Sequence, residues 1–283
     1  MTRRRELERH RESLREIREI MGSMKTLAYM ETRKLGRSLE AQQNVVQSIS
    51  DVAADFLAFF GDTLPRGGAL VARLFLLVGT ERGFCGDFNH AILRRLASEL
   101  DGDPSGQPLL LPVGHKLHSL LEKDPRVAAR IPGASVAEEV TALLSQVTTE
   151  IGAVQARQDE LAVYCIHHSD RSEVAVRQLL PPFLDGPPPP AAFSFPPLLH
   201  EAPREFLSQL ADHYLLAVLY EIFYTSLMAE NDARLAHLES ALGHLDEQAD
   251  ELARQDNILR QEEIIEEIEV LLLSSGQYGR RRS

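Results

Sequence analysis

Apolar residues recur at helical spacing through the first part of the chain. In a heptad frame starting at Leu7, the a sites are Leu7, Leu14, Met21, Ala28, Leu35, Gln42, Ile49 and Phe56. The d sites are His10, Ile17, Met24, Glu31, Ser38, Val45, Val52 and Phe59. Twelve of these sixteen sites are apolar, and Arg3 to Phe60 contains no Pro and only Gly22 and Gly36. A seam held for eight heptads predicts a coiled-coil strand rather than an ordinary surface helix. Such a helix is about 85 Å long at 1.5 Å per residue, more than a globular core covers, so it needs a partner along its length.

The other end of the chain supplies one. Arg204 to Leu273 has no Pro and a single Gly, Gly243. Leu235, Leu238, Leu242, Leu245, Ala249 and Leu252 are consecutive a and d sites. Asp256 interrupts them, Leu259 resumes, and Ile265, Ile268 and Leu272 fall in a shifted register, the pattern of a stutter. The pairing is expected to end near Asp256, with the helix continuing alone.

Between the helices the period changes. Pro65–Gly68 closes the first helix, and Leu70–Val78 is a short apolar run that reads as a buried strand. A helix follows near Phe88–Leu100, then a turn-rich loop (Asp101–Pro108) and a second strand, Leu109–Val113. Lys116–Glu122 and Val136–Arg157 read as helices. Leu161–His167 is a third strand, and Val174–Leu180 a fourth that pairs back around Ser169–Ser172. Phe183–Pro203 is rich in Pro and reads as a stiff connector.

The expected organisation is a mixed α/β chain. A long antiparallel two-helix coiled coil from the two termini is joined to a central Rossmann-like α/β domain. The divisions are an N-terminal helix at 1–62, the α/β domain at 68–182, the connector at 183–203, a C-terminal helix at 204–273 and a disordered tail at 274–283.

Charge narrows the function classes. The net charge of −12 argues against non-specific nucleic-acid binding. The cluster Arg3, Arg4, Arg5, Arg9, Arg11, Arg15 and Arg18 is interleaved with Glu6, Glu8, Glu12, Glu16 and Glu19, the pattern of a solvated helix face. There is no Trp, which argues against a base-stacking surface. Cys85 and Cys165 lack CxxC spacing, so neither a disulfide framework nor a zinc site is expected. No apolar run is long enough to cross a bilayer. Any membrane contact is therefore expected to run through partners.

Few motifs offer chemistry. Gly79–Asn89 (GTERGFCGDFN) lies between a strand and a helix, where glycine-rich turns cradle phosphate. It lacks the lysine of a P-loop and the spacing of a dinucleotide fingerprint, so it reads as a tight turn in which Gly83 and Gly86 relieve strain. His167 and His168 are adjacent in a strand and face opposite ways, so they suit a strand end better than a metal. Cys85 reads as small packing. Glu262, Glu263, Glu266, Glu267 and Glu269 lack the spacing of a calcium loop and read as a charged helix face. No catalytic residue and no cofactor are expected.

Three segments together resemble the γ subunits of F-type ATP synthases. Ser13–Leu35 (SLREIREIMGSMKTLAYMETRKL) is similar to the family's N-terminal signature, S-I-K-N-T-x-K-I-T-x-A-M-x-M-V-A-x-x-K-x-R. Thr80–Asn89 is similar to its T-S-D-R-G-L-C-G-x-x-N turn. Between Glu230 and Leu271, Arg234 falls on the Arg of S-E-x-x-A-R-M, and Asn257, Arg260 and Gln261 fall on Y-N-R-x-R-Q. Ile264 and Glu267–Ile268 match positions that follow. The departures are Glu19 for a usual Lys, Gly22–Ser23 for a small residue and Ala, Asp256 for a usual Tyr, and the added tail. They resemble the alternative, sometimes sodium-coupled, bacterial branch.

The resemblance implies a rotor shaft inside a ring of catalytic α and β subunits. Its α/β domain would grip the epsilon subunit and the membrane rotor ring at the cytoplasmic face of the bacterial inner membrane. It places Met24, Lys25, Arg234, Asn257, Arg260, Gln261 and Glu267 at subunit interfaces, and gives Arg82, Gly83, Cys85 and Gly86 the shaping of the foot-domain turn. Met24 is also a seam site. Periodicity alone fits a coiled-coil scaffold or adaptor with an α/β docking domain equally well. A third reading makes the chain a small-molecule-binding α/β protein that uses the Gly79–Asn89 turn.

Overall fold

The computed structural model describes residues 2–63, 72–101, 108–158, 160–183 and 195–279. The expected helix stop at Pro65–Gly68, the first residues of the Leu70–Val78 run, most of the Asp101–Pro108 loop, residues 184–194 of the connector and the last residues of the tail lie outside them.

The elements in chain order are α1 (Thr2–Phe60), β1 (Ala72–Val78), α2 (Phe88–Leu100), β2 (Leu109–Val113), α3 (His115–Leu120), α4 (Val140–Gln155), β3 (Leu161–His168), β4 (Val174–Leu180) and α5 (Pro203–Gly279). A short 3₁₀ turn at Ala137–Glu139 leads into α4. Pro203 opens α5, where its missing N–H and fixed φ fit the first helical turn. The chain divides into two compact units, Met1–Leu27 with Ala236–Ser283, and Ala28–Leu235. The division thus cuts both long helices.

The larger unit is built on a four-stranded sheet in the order β2-β1-β3-β4. β1 pairs in parallel with β2 and with β3, and β4 returns antiparallel to β3 as the expected hairpin. Side chains alternate across the sheet. From β1, Phe75 and Leu77 join Phe88, Ile92 and Leu96 of α2 and Leu117 of α3. Leu74, Leu76 and Val78 join Val140, Leu144 and Val147 of α4, Val218 and Ile222 of α5, and Leu35 and Val46 of α1 on the other face. Both faces are covered, which explains why β1 reads as a continuous apolar run. Pro112, which has no N–H to donate, sits in edge strand β2.

The heptad frame of α1 holds only in part. Leu14, Met21, Ala28 and Leu35 are buried at strict seven-residue spacing. The buried line then steps by four to Leu39, Val46 and Ala53, while the expected d sites Ile17, Val45 and Val52 are exposed. Beyond Ala28 the helix faces a sheet-and-helix layer, and a two-stranded seam no longer describes it.

In the smaller unit α1 and α5 run antiparallel. Lys25 pairs with Glu239, Arg18 with Asp246, Arg11 with Asp256 and Arg4 with Glu263, rising on one helix as they fall on the other. The expected end of pairing at Asp256 is corrected by these contacts. Asp256 continues the less exposed line of α5 that runs through Leu245, Ala249, Leu252, Leu259 and Glu263. Its carboxylate lies 3.4 Å from Arg4 and 3.3 Å from Arg11. The acid occupies the seam because two guanidiniums from the other helix neutralise it. α5 stays helical to Gly279.

Candidate functional site

The Gly79–Asn89 turn is built by its own side chains. The Thr80 N–H donates to Asn89 Oδ1 at 3.0 Å, and Asn89 Nδ2 donates back to the Thr80 hydroxyl at 2.9 Å. Glu81 reaches across to the next strand-to-helix turn. Its Oε2 accepts the N–H groups of His115 at 3.1 Å and Gly133 at 2.6 Å, and its Oε1 meets His115 Nδ1 at 2.7 Å. Gly114 sits against the same turn at φ 103°, where a Cβ would stand 2.7 Å from the Thr80 carbonyl oxygen. Only glycine fits there.

The centre of the turn is occupied from α5. The Glu230 carboxyl lies beside the backbone amides of Glu81 and Arg82 and pairs with Arg234. Arg234 also donates to Asn231 Oδ1 at 2.8 Å and to the Gly83 carbonyl oxygen at 3.3 Å. Both side chains of the pair are buried. Burial pushes the Glu230 carboxyl up to about 7, while the Arg234 guanidinium and the two amides pull it down. A buried carboxylate of the chain itself therefore already lies beside these amides, which argues against a nucleotide site at this turn.

Strain in the turn falls on other residues than expected. Gly86 has φ 59°, but the second left-handed residue is Phe84, φ 66°, and not Gly83. Cys85 is buried, its Sγ 3.4 Å from the Gly83 carbonyl oxygen, and burial pushes its thiol up to about 12. It is packing, not a nucleophile. Arg82 is exposed. His168 stacks on Phe88, with ring centroids 3.7 Å apart, and its Nε2 and Nδ1 face the carbonyl oxygens of Phe88 and Asp170. Burial lowers its pKa, and holds that of His167 at about 4. Among the described residues no group of three His, Cys, Asp or Glu is placed to hold a metal ion.

The residues assigned to interfaces divide into two sets. Arg234 is enclosed by its own chain and clamps α5 to the turn. Met24 is half-buried, and Lys25 pairs with Glu239 at 2.8 Å. Asn257, Arg260, Gln261 and Glu267 are all exposed on α5. The sequence alone assigns no role to Glu230 and Asn231, which build the clamp, or to Glu81 and Asn89, which build the turn. The available signals were an acid four residues before an arginine within the apolar stretch around Leu227 and Ala229, and the E of S-E-x-x-A-R-M, on which Glu230 falls. Among the described residues no helix is long and apolar enough to cross a membrane.

Comparison with known proteins agrees with this architecture. A family model described as ATP synthase matches residues 3–272. The ATP synthase gamma chain of Clostridium botulinum (strain Langeland) is 23% identical over 276 residues, covering 93% of each chain. That of Clostridium novyi (strain NT) is 22% identical over 275 residues, again covering 93% of each. The fold is shared with a chain of the rotor of Euglena gracilis mitochondrial ATP synthase, at a TM-score of 0.59 and 17% identity, covering 93% of this chain and 99% of that one. The chain belongs to the ATP synthase gamma family, the non-catalytic central-stalk subunits of F-type ATP synthases.

Proposed function

We propose that the paired part of α1 and α5 stands inside a ring of catalytic α and β subunits and couples its own rotation to their opening and closing. The sheet unit holds the epsilon subunit and the membrane rotor ring. The whole sits at the cytoplasmic face of a bacterial inner membrane, held there by partners. In this reading Met24 and Lys25 of α1, and Asn257, Arg260, Gln261 and Glu267 of α5, meet the catalytic subunits. Arg234 acts inside the chain instead, by fixing α5 to the turn at Arg82, Gly83, Cys85 and Gly86.

One observation carries the reading. Ile17, Ile20, Met24 and Leu27 recur at three- and four-residue spacing on α1, and Ile17, Ile20 and Leu27 are 42%, 61% and 64% exposed. The far part of α5 likewise leaves Ile264, Ile265 and Ile268 exposed beside Arg260, Gln261 and Glu267. A helix pair that has already buried one seam yet keeps these apolar positions outside is supported by further partners along its length. Mixed charge around them limits adhesion to any single position.

Reconstitution tests this. In a complex assembled with catalytic and membrane subunits, deleting residues 265–283 or making Met24→Lys should leave ATP hydrolysis running while ion pumping falls. Unchanged coupling in both variants would remove the proposed contacts.

A further inference from the structure

Two ion pairs bracket a weak interval in the smaller unit. Arg18–Asp246 and Lys25–Glu239 are successive rungs between the antiparallel helices. Gly22 lies between Arg18 and Lys25 on α1, and Gly243 lies between Glu239 and Asp246 on α5. Gly22 is three residues from its rung and Gly243 is four from the same rung. The two glycines therefore stand at one level of the pair, to within about one 1.5 Å residue rise.

Within the chain, neither glycine is required by packing. A Cβ built on either one meets nothing within 4 Å, and neither has a positive φ. Each accordingly retains backbone freedom that alanine would remove. The surrounding residues loosen the same interval. Ser23 Oγ donates to the Glu19 carbonyl oxygen at 3.0 Å and Thr26 Oγ1 to that of Gly22 at 3.0 Å, both side chains bonding back onto the helix ladder. Such back-bonding weakens and bends helices, and Gly–Ser pairs are common kink sites. The buried side chain of α1 at this level is Met21, an unbranched and adaptable residue.

We propose that Gly22 and Gly243 form a compliant joint across both helices, confined between the Arg18–Asp246 and Lys25–Glu239 rungs. The rungs hold the register while the interval between them bends and twists. In a shaft that meets differing partners at each step, such a joint lets the two helices flex together without slipping past each other.

Amide hydrogen exchange on the full chain tests it. Amides of residues 20–24 and 241–245 should exchange faster than those of residues 12–18 and 246–252. Gly22→Ala and Gly243→Ala should each slow local exchange about fivefold, the helix-propensity difference between the two residues, and the double variant should slow both intervals. Gly36→Ala, at a helical glycine with equally open surroundings, should leave both intervals unchanged. Uniform exchange along the paired helices in the parent chain, or intervals unmoved by the double substitution, would overturn the joint.

Discussion

Arg234 donates through Nε to the carbonyl oxygen of Gly83, 3.3 Å away and 151 positions earlier in the chain. This bond ties the middle of α5 to the turn that follows the central strand of the sheet. The same guanidinium pairs with Glu230, whose carboxyl the neighbouring amides of Glu81 and Arg82 help to pull down. Rotation of α5 relative to its own sheet would have to break this buried set first. The clamp thus gives a physical basis for moving torque between the sheet and the helix.

Removing one member of the clamp should be costly. Arg234→Met leaves a buried carboxylate without its cation and should destabilise the chain by about 3–5 kcal/mol in urea unfolding. The double variant Glu230→Met with Arg234→Met should cost less than the sum of the single changes, because neither charge is left alone. Additive losses would show that the two side chains act independently.

Acid should weaken the fold through His167. The unfolded ring gains a proton as pH drops below 6.5, while the folded ring stays neutral to about 4 because burial disfavours its charge. The unfolded state binds more protons across that window, so stability falls as pH falls. At full effect the loss is about 3 kcal/mol. Glu230, raised by burial, contributes with the opposite sign between 4.5 and about 7. The test is therefore the difference between the parent and His167→Leu. Equilibrium unfolding at pH 7 and pH 4.5 should show a shallower loss on acidification in the variant.

The acid in the helix seam should respond to salt. Asp256→Ala frees Arg4 and Arg11 from a partner and should lower the melting temperature at low ionic strength. The difference should shrink toward 1 M NaCl, where the screening length is about 3 Å. A salt-independent difference would mean that Asp256 matters through shape.

Gly114→Ala should destabilise by on the order of 1–3 kcal/mol, since it forces a left-handed backbone on alanine and drives Cβ into the Thr80 carbonyl. Gly86→Ala shares the positive φ but has open space around it and should cost less. Thermal unfolding of the two variants, ranked in the other order, would contradict the packing of the two turns.

Much of this was legible in the sequence because local pattern governed it. α2 and β2 begin and end where period and turn residues placed them, and the β3–β4 hairpin follows from the polar break at Ser169–Ser172. The long helices declared themselves through Pro-free periodicity. What failed depended on distant residues. Val45 and Val52 looked like seam sites because periodicity marks an apolar face without saying which neighbour covers it. Asp256 looked like a break because Arg4 and Arg11, which neutralise it, are some two hundred and fifty positions away on the other helix. Glu230 stood within the matched signature but carried no role there, because an acid in a helix usually faces water and only the fold brings the turn to it. The exposed residues Asn257, Arg260 and Gln261 came from the family resemblance, since isolated polar positions on a helix carry no local signal of a partner.

A chain that works as a central shaft turns when the catalytic subunits hydrolyse ATP. A bead attached to the exposed Lys123→Cys position of the chain, in a complex whose catalytic ring is fixed to a surface, reports that motion directly. The bead should rotate stepwise in one direction on addition of ATP. A bead that stays still while the same complexes hydrolyse ATP would contradict it.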